Sequence, residues 1–99
     1  MMISESIYVI KTTSRFDKKI KSIVKQNKSI NKLEETIYKL ANNIELDEKY
    51  NNHKLKDDKY YKNCYECHIE PDWLLIYKKD YNQLILLLFD TGSHSDLFK

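Results

Sequence analysis

Residues 60–89 read YYKNCYECHIEPDWLLIYKKDYNQLILLLF, and the way this stretch divides decides the fold. It is rich in aromatic and aliphatic side chains, and three strands are predicted in it: Tyr60 to His68, Trp73 to Lys79 and Leu84 to Phe89. Asp80 to Asn82 supplies the tight connection of a hairpin. Pro71, the sole proline, separates the first two strands because it has no N–H to give to a ladder. Period two places Cys64, Glu66 and His68 on one strand face, whereas alternation should break beyond Pro71, leaving the relative facing of His68 and Asp72 open.

Upstream of these strands, residues 45–59 are polar and lose their period, which predicts a loop carrying His53 and Leu55. Further back, apolar residues recur twice at helical spacing, first as Phe16, Ile20, Ile23 and Val24, then as Ile30, Leu33, Ile37, Leu40, Ala41 and Ile44. Ser14, three places before Asp17, resembles an N-cap. Asn27 can end the first helix near Gln26, and Ser29 can cap the second. Two helices joined so closely should pack as a hairpin. Ile7, Tyr8, Val9 and Ile10 suggest a first strand ending near Lys11. The order β-α-α-β-β-β predicts an α+β fold with a mostly antiparallel sheet, and 99 residues suit one domain spanning 1–99.

Composition narrows the class. The chain is 41% hydrophobic and 32% charged, the balance of a globular protein, with no signal-peptide pattern and no 18-residue apolar run, so a cytoplasmic protein away from membranes is expected. Cys64 and Cys67 are the two cysteines, too few for a disulfide framework. Net charge is only +2, but it is unevenly spread. Residues 11–32 hold Lys11, Arg15, Lys18, Lys19, Lys21, Lys25, Lys28 and Lys32 against Asp17 alone, a local balance of +7. Taken alone, this favours a solvated helix face over phosphate contact.

The chemistry gathers near strand ends. His53 comes first, then His68-Ile-Glu-Pro-Asp-Trp73 and Thr91-Gly-Ser-His-Ser-Asp-Leu-Phe98. Imidazoles, a carboxylate and aromatic rings are what RNA cleavage without a metal requires: a base for the 2'-hydroxyl, an acid for the departing 5'-oxygen, and surfaces for unpaired bases. Histidine is suited to both proton transfers because its ordinary pKa of about 6.5 leaves both forms accessible near neutrality.

Three strings carry a family resemblance: Asn52-His53-Lys54-Leu55, Glu66-Cys67-His68-Ile69-Glu70-Pro71-Asp72-Trp73-Leu74-Leu75-Ile76-Tyr77, and Gly92-Ser93-His94-Ser95-Asp96-Leu97-Phe98. In this combination and order the chain resembles the RelE superfamily of bacterial type II toxins, and within it the YafQ-type branch, over nearly its whole length. The resemblance implies a RelE-like fold and an endoribonuclease that cleaves messenger RNA in the ribosomal A site, with no cofactor or metal, until a cognate antitoxin binds it. By position it implies catalytic roles for His53, His68, Asp72 and His94, and substrate contacts for Trp73 and Phe98. His68 and His94 are expected as the acid–base pair, in either assignment. Asp72 could act as base, orient an imidazole or accept turn hydrogen bonds. Trp73 alternates with Leu75 and Tyr77, so burial is as plausible for it as stacking.

Cys64, Cys67, His68 and His53 offer four possible zinc ligands, but residues 64 and 67 should face opposite sides of a strand and no second Cys-x-x-Cys exists, so no metal is expected. Two departures from the family pattern matter more. Tyr65 and Asp90 stand where relatives carry arginine, which would remove positive charge from the expected phosphate site, and Asp90 would repel the phosphate unless Lys59, Lys62 or the basic helices compensate. The segment from His53 to His68 is also about two residues longer than the family pattern and lacks its glycine, with Asp57 and Asp58 nearby. An active nuclease is therefore expected first. The alternative is a toxin-fold binding module with weakened chemistry, which binds an antitoxin and contributes to operon repression.

Overall fold

The computed structural model describes residues 6–26, 28–56 and 58–98. Asn27 and Asp57, to which the sequence reading gave a helix end and a loop charge, lie outside them. The elements run β1 (Val9–Thr12), α1 (Ser14–Lys25), α2 (Ile30–Ala41), a 3₁₀ turn (Glu48–Tyr50), β2 (His53–Lys54), β3 (Tyr65–Glu70), β4 (Trp73–Asp80), β5 (Ile85–Gly92) and α3 (His94–Leu97). Five strands form one sheet in the order β1-β5-β4-β3-β2. β1 runs parallel to β5 and every other pairing is antiparallel, so the α+β reading with a mostly antiparallel sheet holds.

Both helices cover one face of the sheet. Phe16 and Ile23 of α1 and Leu33, Ile37, Leu40 and Ala41 of α2 are buried in one cluster with Cys67, Trp73, Leu75, Tyr77, Leu86 and Leu88. The apolar residues of each helix recur three or four places apart, which lines most of them along one buried stripe, although Val24 stays exposed. α1 lies along β5 and α2 against β3. The opposite face is covered less completely, by a smaller cluster of Tyr61, Cys64, Leu74, Ile76 and Leu97 with Leu55, Phe89 and Phe98 at its margin. None of the helices among the described residues is long and apolar enough to cross a membrane.

Local chemistry moved several boundaries. Thr13, not Ser14, caps α1: its Oγ1 accepts the Phe16 N–H at 3.1 Å while its hydroxyl donates to the Phe89 carbonyl at 2.6 Å, tying the helix start to β5. Ser29 occupies the N-cap of α2 without making a side-chain cap bond. That helix stops at Ala41, short of Ile44, because Asn43 turns the chain through a left-handed conformation at φ 57° and leaves Ile44 exposed. β3 begins at Tyr65 rather than Tyr60, since Asp58 Oδ1 accepts both the Tyr60 and Tyr61 N–H groups and holds that segment in a turn.

The expected loop at 45–59 is not structureless. It contains the 3₁₀ turn and β2, whose two residues pair His53 with Glu66 and Lys54 with Tyr65. Two residues are too few to show a period in sequence. β5 runs past Phe89 to Gly92 through a bulge: Ile76 pairs with Asp90 and Tyr77 with Leu88, leaving Phe89 as the extra residue. The bulge turns Asp90 onto the same face as Ile76, where its carboxylate still reaches Arg15 and Lys19 of α1.

Candidate active site

Pairing across the sheet builds the site. His53 opposes Glu66, Glu66 opposes Ile76, and His68 opposes Leu74, so His53, Glu66 and His68 share the face that the helices leave uncovered. A register shift between His68 and Glu70 breaks alternation before Pro71, and the turn then carries Asp72 back towards the same face. β5 ends at Gly92, and the short helix α3 that follows brings His94 over the end of β3.

A capping box fixes that last element. Ser93 Oγ accepts the Asp96 N–H at 3.2 Å and Asp96 Oδ2 accepts the Ser93 N–H at 3.3 Å, so the chain turns into α3 at a defined point. Asp72 Oδ1 then accepts from the His94 backbone N–H at 3.1 Å and lies 3.2 Å from His94 Nδ1. These two bonds, the backbone one first, hold the Asp72 carboxyl below the usual carboxylate range although it is exposed. The result is a clamp: Asp72 fixes both the position of His94 and the orientation of its ring.

Glu66 lies at the centre. It is 5% exposed, and its Oε1 is 3.2 Å from His68 Nε2 and 3.9 Å from His94 Nε2, while Oε2 is 3.6 Å from His53 Nε2. The His68 and His94 rings are edge-on, with centroids 5.5 Å apart. His53 Nδ1 meets the Asn51 carbonyl at 2.7 Å, so its Nε2 points inwards. The sequence reading passed over Glu66 as a site residue, although period two had already placed it on the face of His68. Only the cross-strand partners reveal that one carboxylate faces three imidazoles.

The expected site residues divide cleanly. His53, His68, Asp72 and His94 are brought together, and His53 sits on a strand rather than in a loop. Phe98 is half-buried, with its ring 6.3 Å from that of His94 and 5.6 Å from that of Tyr61. Trp73 does not join them as a stacking surface: it is wholly buried on the helix-covered face, and its indole N–H donates to Thr91 Oγ1 at 2.9 Å. Its alternation with Leu75 and Tyr77 was the governing signal. Lys59 and Lys62 are exposed on the segment before β3, and among the described residues neither side chain makes an ion pair or hydrogen bond.

Of the two departures from the family pattern, Tyr65 lies away from the site, and Asp90 meets the compensating cations on α1 that the sequence reading allowed for. Tyr65 pairs with Tyr77 and stacks on it at 5.6 Å, on the face opposite the histidines, so its identity takes no charge from the site. Asp90 is 1% exposed and already satisfied, with Lys19 Nζ at 3.2 Å, Arg15 Nη1 at 3.7 Å and the Tyr61 hydroxyl donating at 2.8 Å. It draws cations towards this face rather than presenting a bare charge.

The cysteines do not assemble with the histidines. Cys64 packs in the smaller cluster and Cys67 in the larger, on opposite sides of the sheet. Burial raises both thiols, Cys67 to about 12, so neither suits a nucleophile. Glu66, His68 and His94 do form a possible metal group, each offering one ligand atom within 4.8 Å of the others. Two imidazoles and a carboxylate would suit zinc or copper.

Comparison with known proteins identifies relatives of nearly the whole chain. Residues 8–99 match the family described as the bacterial toxin of type II toxin–antitoxin systems, YafQ. The mRNA interferase toxin YafQ of Escherichia coli strain B / BL21-DE3 is 36% identical over 90 residues, covering 90% of this chain and 94% of the relative. The crystal structure of the E. coli DinJ–YafQ complex is similar at TM-score 0.82 and 34% identity, over 93% of this chain and 99% of that one. A metal-bound toxin from Helicobacter pylori is similar at TM-score 0.85 and 37% identity, over 92% of this chain and 99% of that one.

Proposed function

Because the chain belongs to the YafQ family of bacterial type II toxins, we propose that it is an mRNA interferase, acting in the cytoplasm as one toxin domain spanning 1–99. It cleaves messenger RNA in the ribosomal A site and is neutralised by a cognate antitoxin protein. The observation that carries this reading is the set of three imidazoles around the buried Glu66 carboxylate, on the uncovered face of the sheet.

Cleavage uses the RNA's own 2'-hydroxyl as nucleophile. A base removes its proton, the oxygen attacks the adjacent phosphorus, and an acid protonates the departing 5'-oxygen, giving a 2',3'-cyclic phosphate and a free 5'-hydroxyl. His94 is assigned as the acid on geometry: Asp72 holds its Nδ1 at 3.2 Å, and its Nε2, 3.9 Å from Glu66, is left to deliver the proton. His68, whose Nε2 faces Glu66, keeps Nδ1 available to accept one. Glu66 offsets the charge each ring gains, Asp72 orients His94, and His53 supplies a further cationic group for the phosphorus oxygens when protonated. Phe98 gives an unpaired base a ring to stack on.

No step in this scheme requires a metal. Glu66, His68 and His94 could nevertheless hold an ion, as Lewis acid or as inhibitor, and that ion would occupy the groups that otherwise transfer protons. The weakened-module reading loses its main support with Tyr65 on the far face and Asp90 ion-paired.

The test uses ribosomes programmed with a defined message, in excess chelator. Cleavage is expected from the unsubstituted protein, with His68→Ala and His94→Ala slower by about 10²- to 10⁴-fold. Intact message throughout overturns the reading, and cleavage only after zinc or copper is restored assigns the chemistry to the ion. A substrate with sulfur at the bridging 5' position leaves without a proton, so it should rescue His94→Ala but not His68→Ala.

A further inference from the structure

Beyond the histidines, the same face of the sheet carries a second, less obvious arrangement of cations and aromatic rings. Asp90, Ile76, Glu66 and His53 form one row across four strands. Asp90 therefore lies two strand spacings from Glu66, about 10 Å along the sheet. Over Asp90 is a cavity of about 580 Å³, lined by Arg15 and Lys19 of α1, by Tyr60 and Tyr61, and by Phe98. Phe98 also touches His94, so this cavity adjoins the candidate active site directly.

Asp90 explains how the cations are held. A buried carboxylate must be paired, and this one takes Lys19, Arg15 and the Tyr61 hydroxyl as partners. Lys19 and Arg15 are one helical turn apart and remain partly exposed, at 33% and 52%, so each still presents N–H donors to the cavity. The other carboxylates at the cavity are engaged locally: Asp58 accepts the Tyr60 and Tyr61 N–H groups, and Asp96 accepts that of Ser93. Tyr60 is 78% exposed, and among the described residues its one ring contact is with Tyr61 at 6.5 Å. Exposed cations beside exposed rings are what a single nucleic-acid strand requires: charge for its phosphates and flat surfaces for its bases.

We propose that Arg15, Lys19 and Tyr60 form a subsite for the nucleotide next to the cleaved phosphodiester, with the cations on its phosphate, the Tyr60 ring on its base, and Asp90 as the residue that positions the cations. The proposal rests on the reading of the chain as a ribonuclease and extends its substrate contacts onto α1. It also gives part of the basic front half of the sequence a specific task.

The test measures binding and cleavage separately. Binding uses a short single-stranded 2'-O-methyl RNA, which cannot be cut, titrated at several salt concentrations. In Arg15→Gln/Lys19→Gln/Asp90→Asn, which avoids leaving the buried carboxylate unpaired, the slope of log affinity against log salt should shrink by about 1.4, or about 0.7 for each lost cation. Tyr60→Ala should weaken binding about fivefold to tenfold with the slope unchanged. Asp90→Asn alone should also weaken binding although it makes the protein more positive, an effect opposite to that of net charge. In cleavage assays all three should raise KM and leave kcat within about threefold of its starting value. An unchanged slope in the triple variant, tighter binding by Asp90→Asn, or no saturable binding by the unsubstituted protein overturns the subsite. If the unsubstituted protein binds and the variants weaken binding as expected, yet nothing is cut, the ribonuclease reading fails, and Arg15, Lys19 and Tyr60 stand as a single-strand binding site without its placement beside a cleaved phosphodiester.

Discussion

The two faces of β4 are built from alternate residues of one strand and have opposite fates. Trp73, Leu75 and Tyr77 face the helices and are sealed in the larger core, whereas Leu74 and Ile76 face the other way, beneath a thin cover that leaves the neighbouring histidines open. The same hydrogen-bonded ladder serves both. One face can be filled with apolar groups to hold the sheet fixed, and the other can then carry Glu66, His68 and Asp90 at set distances. The rigidity of the site is thus supplied from the side that takes no part in the chemistry.

The largest expected effects come from substituting one residue on each face. His94→Ala on the open face should cut message about 10²- to 10⁴-fold more slowly while the melting temperature stays put, because the ring is half exposed and packs nothing essential. Trp73→Ala on the sealed face should lower stability by about 3–5 kcal/mol, read from denaturant unfolding, since it leaves a large cavity and strips Thr91 of a hydrogen-bond donor. If Trp73→Ala left stability unchanged but abolished cleavage, the division of labour between the faces would be wrong.

Sequence revealed these two faces unequally. Helical periodicity located both helices, and period two along the strands put Glu66 with His68, whereas it left Trp73 open between the core, where it lies, and the stacking role the resemblance implied. The order of strands in the sheet was not legible, because β1 pairs with β5 across more than seventy residues and nothing local encodes that contact. β2 was missed because a pair of residues has no period. For Asp90, compensation by the basic helices was one of the alternatives read from the sequence, but the bulge at Phe89 that brings it to Arg15 and Lys19 is invisible in the alternation of Ile85 to Leu88. The imidazoles could be recognised one by one, but the carboxylate between them required the register of three strands.

A smaller effect tests the clamp at the edge of the open face. The His94 N–H groups hold the Asp72 carboxyl below the ordinary aspartate value of about 3.9, so in the folded protein it stays ionised to lower pH than in the unfolded chain. Its contribution to stability is therefore present above the unfolded value and lost as pH falls through the folded one. Stability profiles of the unsubstituted protein and Asp72→Asn should differ at neutral pH and converge in acid below that range. Asp72 is exposed, so the gap should be modest, but in cleavage assays the same substitution should cost more than it does in folding, because it frees the His94 ring to rotate. Parallel profiles at all pH values would show that the two bonds do not operate in solution.

The smallest effect compares the faces with one reagent. Cys64 and Cys67 are both buried, and desolvation raises both thiols, so in the native protein at pH 8 alkylation should be slow at each and rapid at both once the chain is unfolded. The two should nevertheless differ in how they become reachable. Cys67 lies under the helices, so exposing it requires the larger core to separate, which approaches global unfolding. Cys64 is covered by Tyr61, Leu97 and their neighbours, elements joined to the sheet by few buried groups, so a local opening should suffice. Low concentrations of denaturant should then leave the Cys64 rate almost unchanged while raising the Cys67 rate steeply. Equal denaturant dependence would mean that both faces open together, and the thin cover over the candidate active site would have to be as strongly coupled to the core as the helices are.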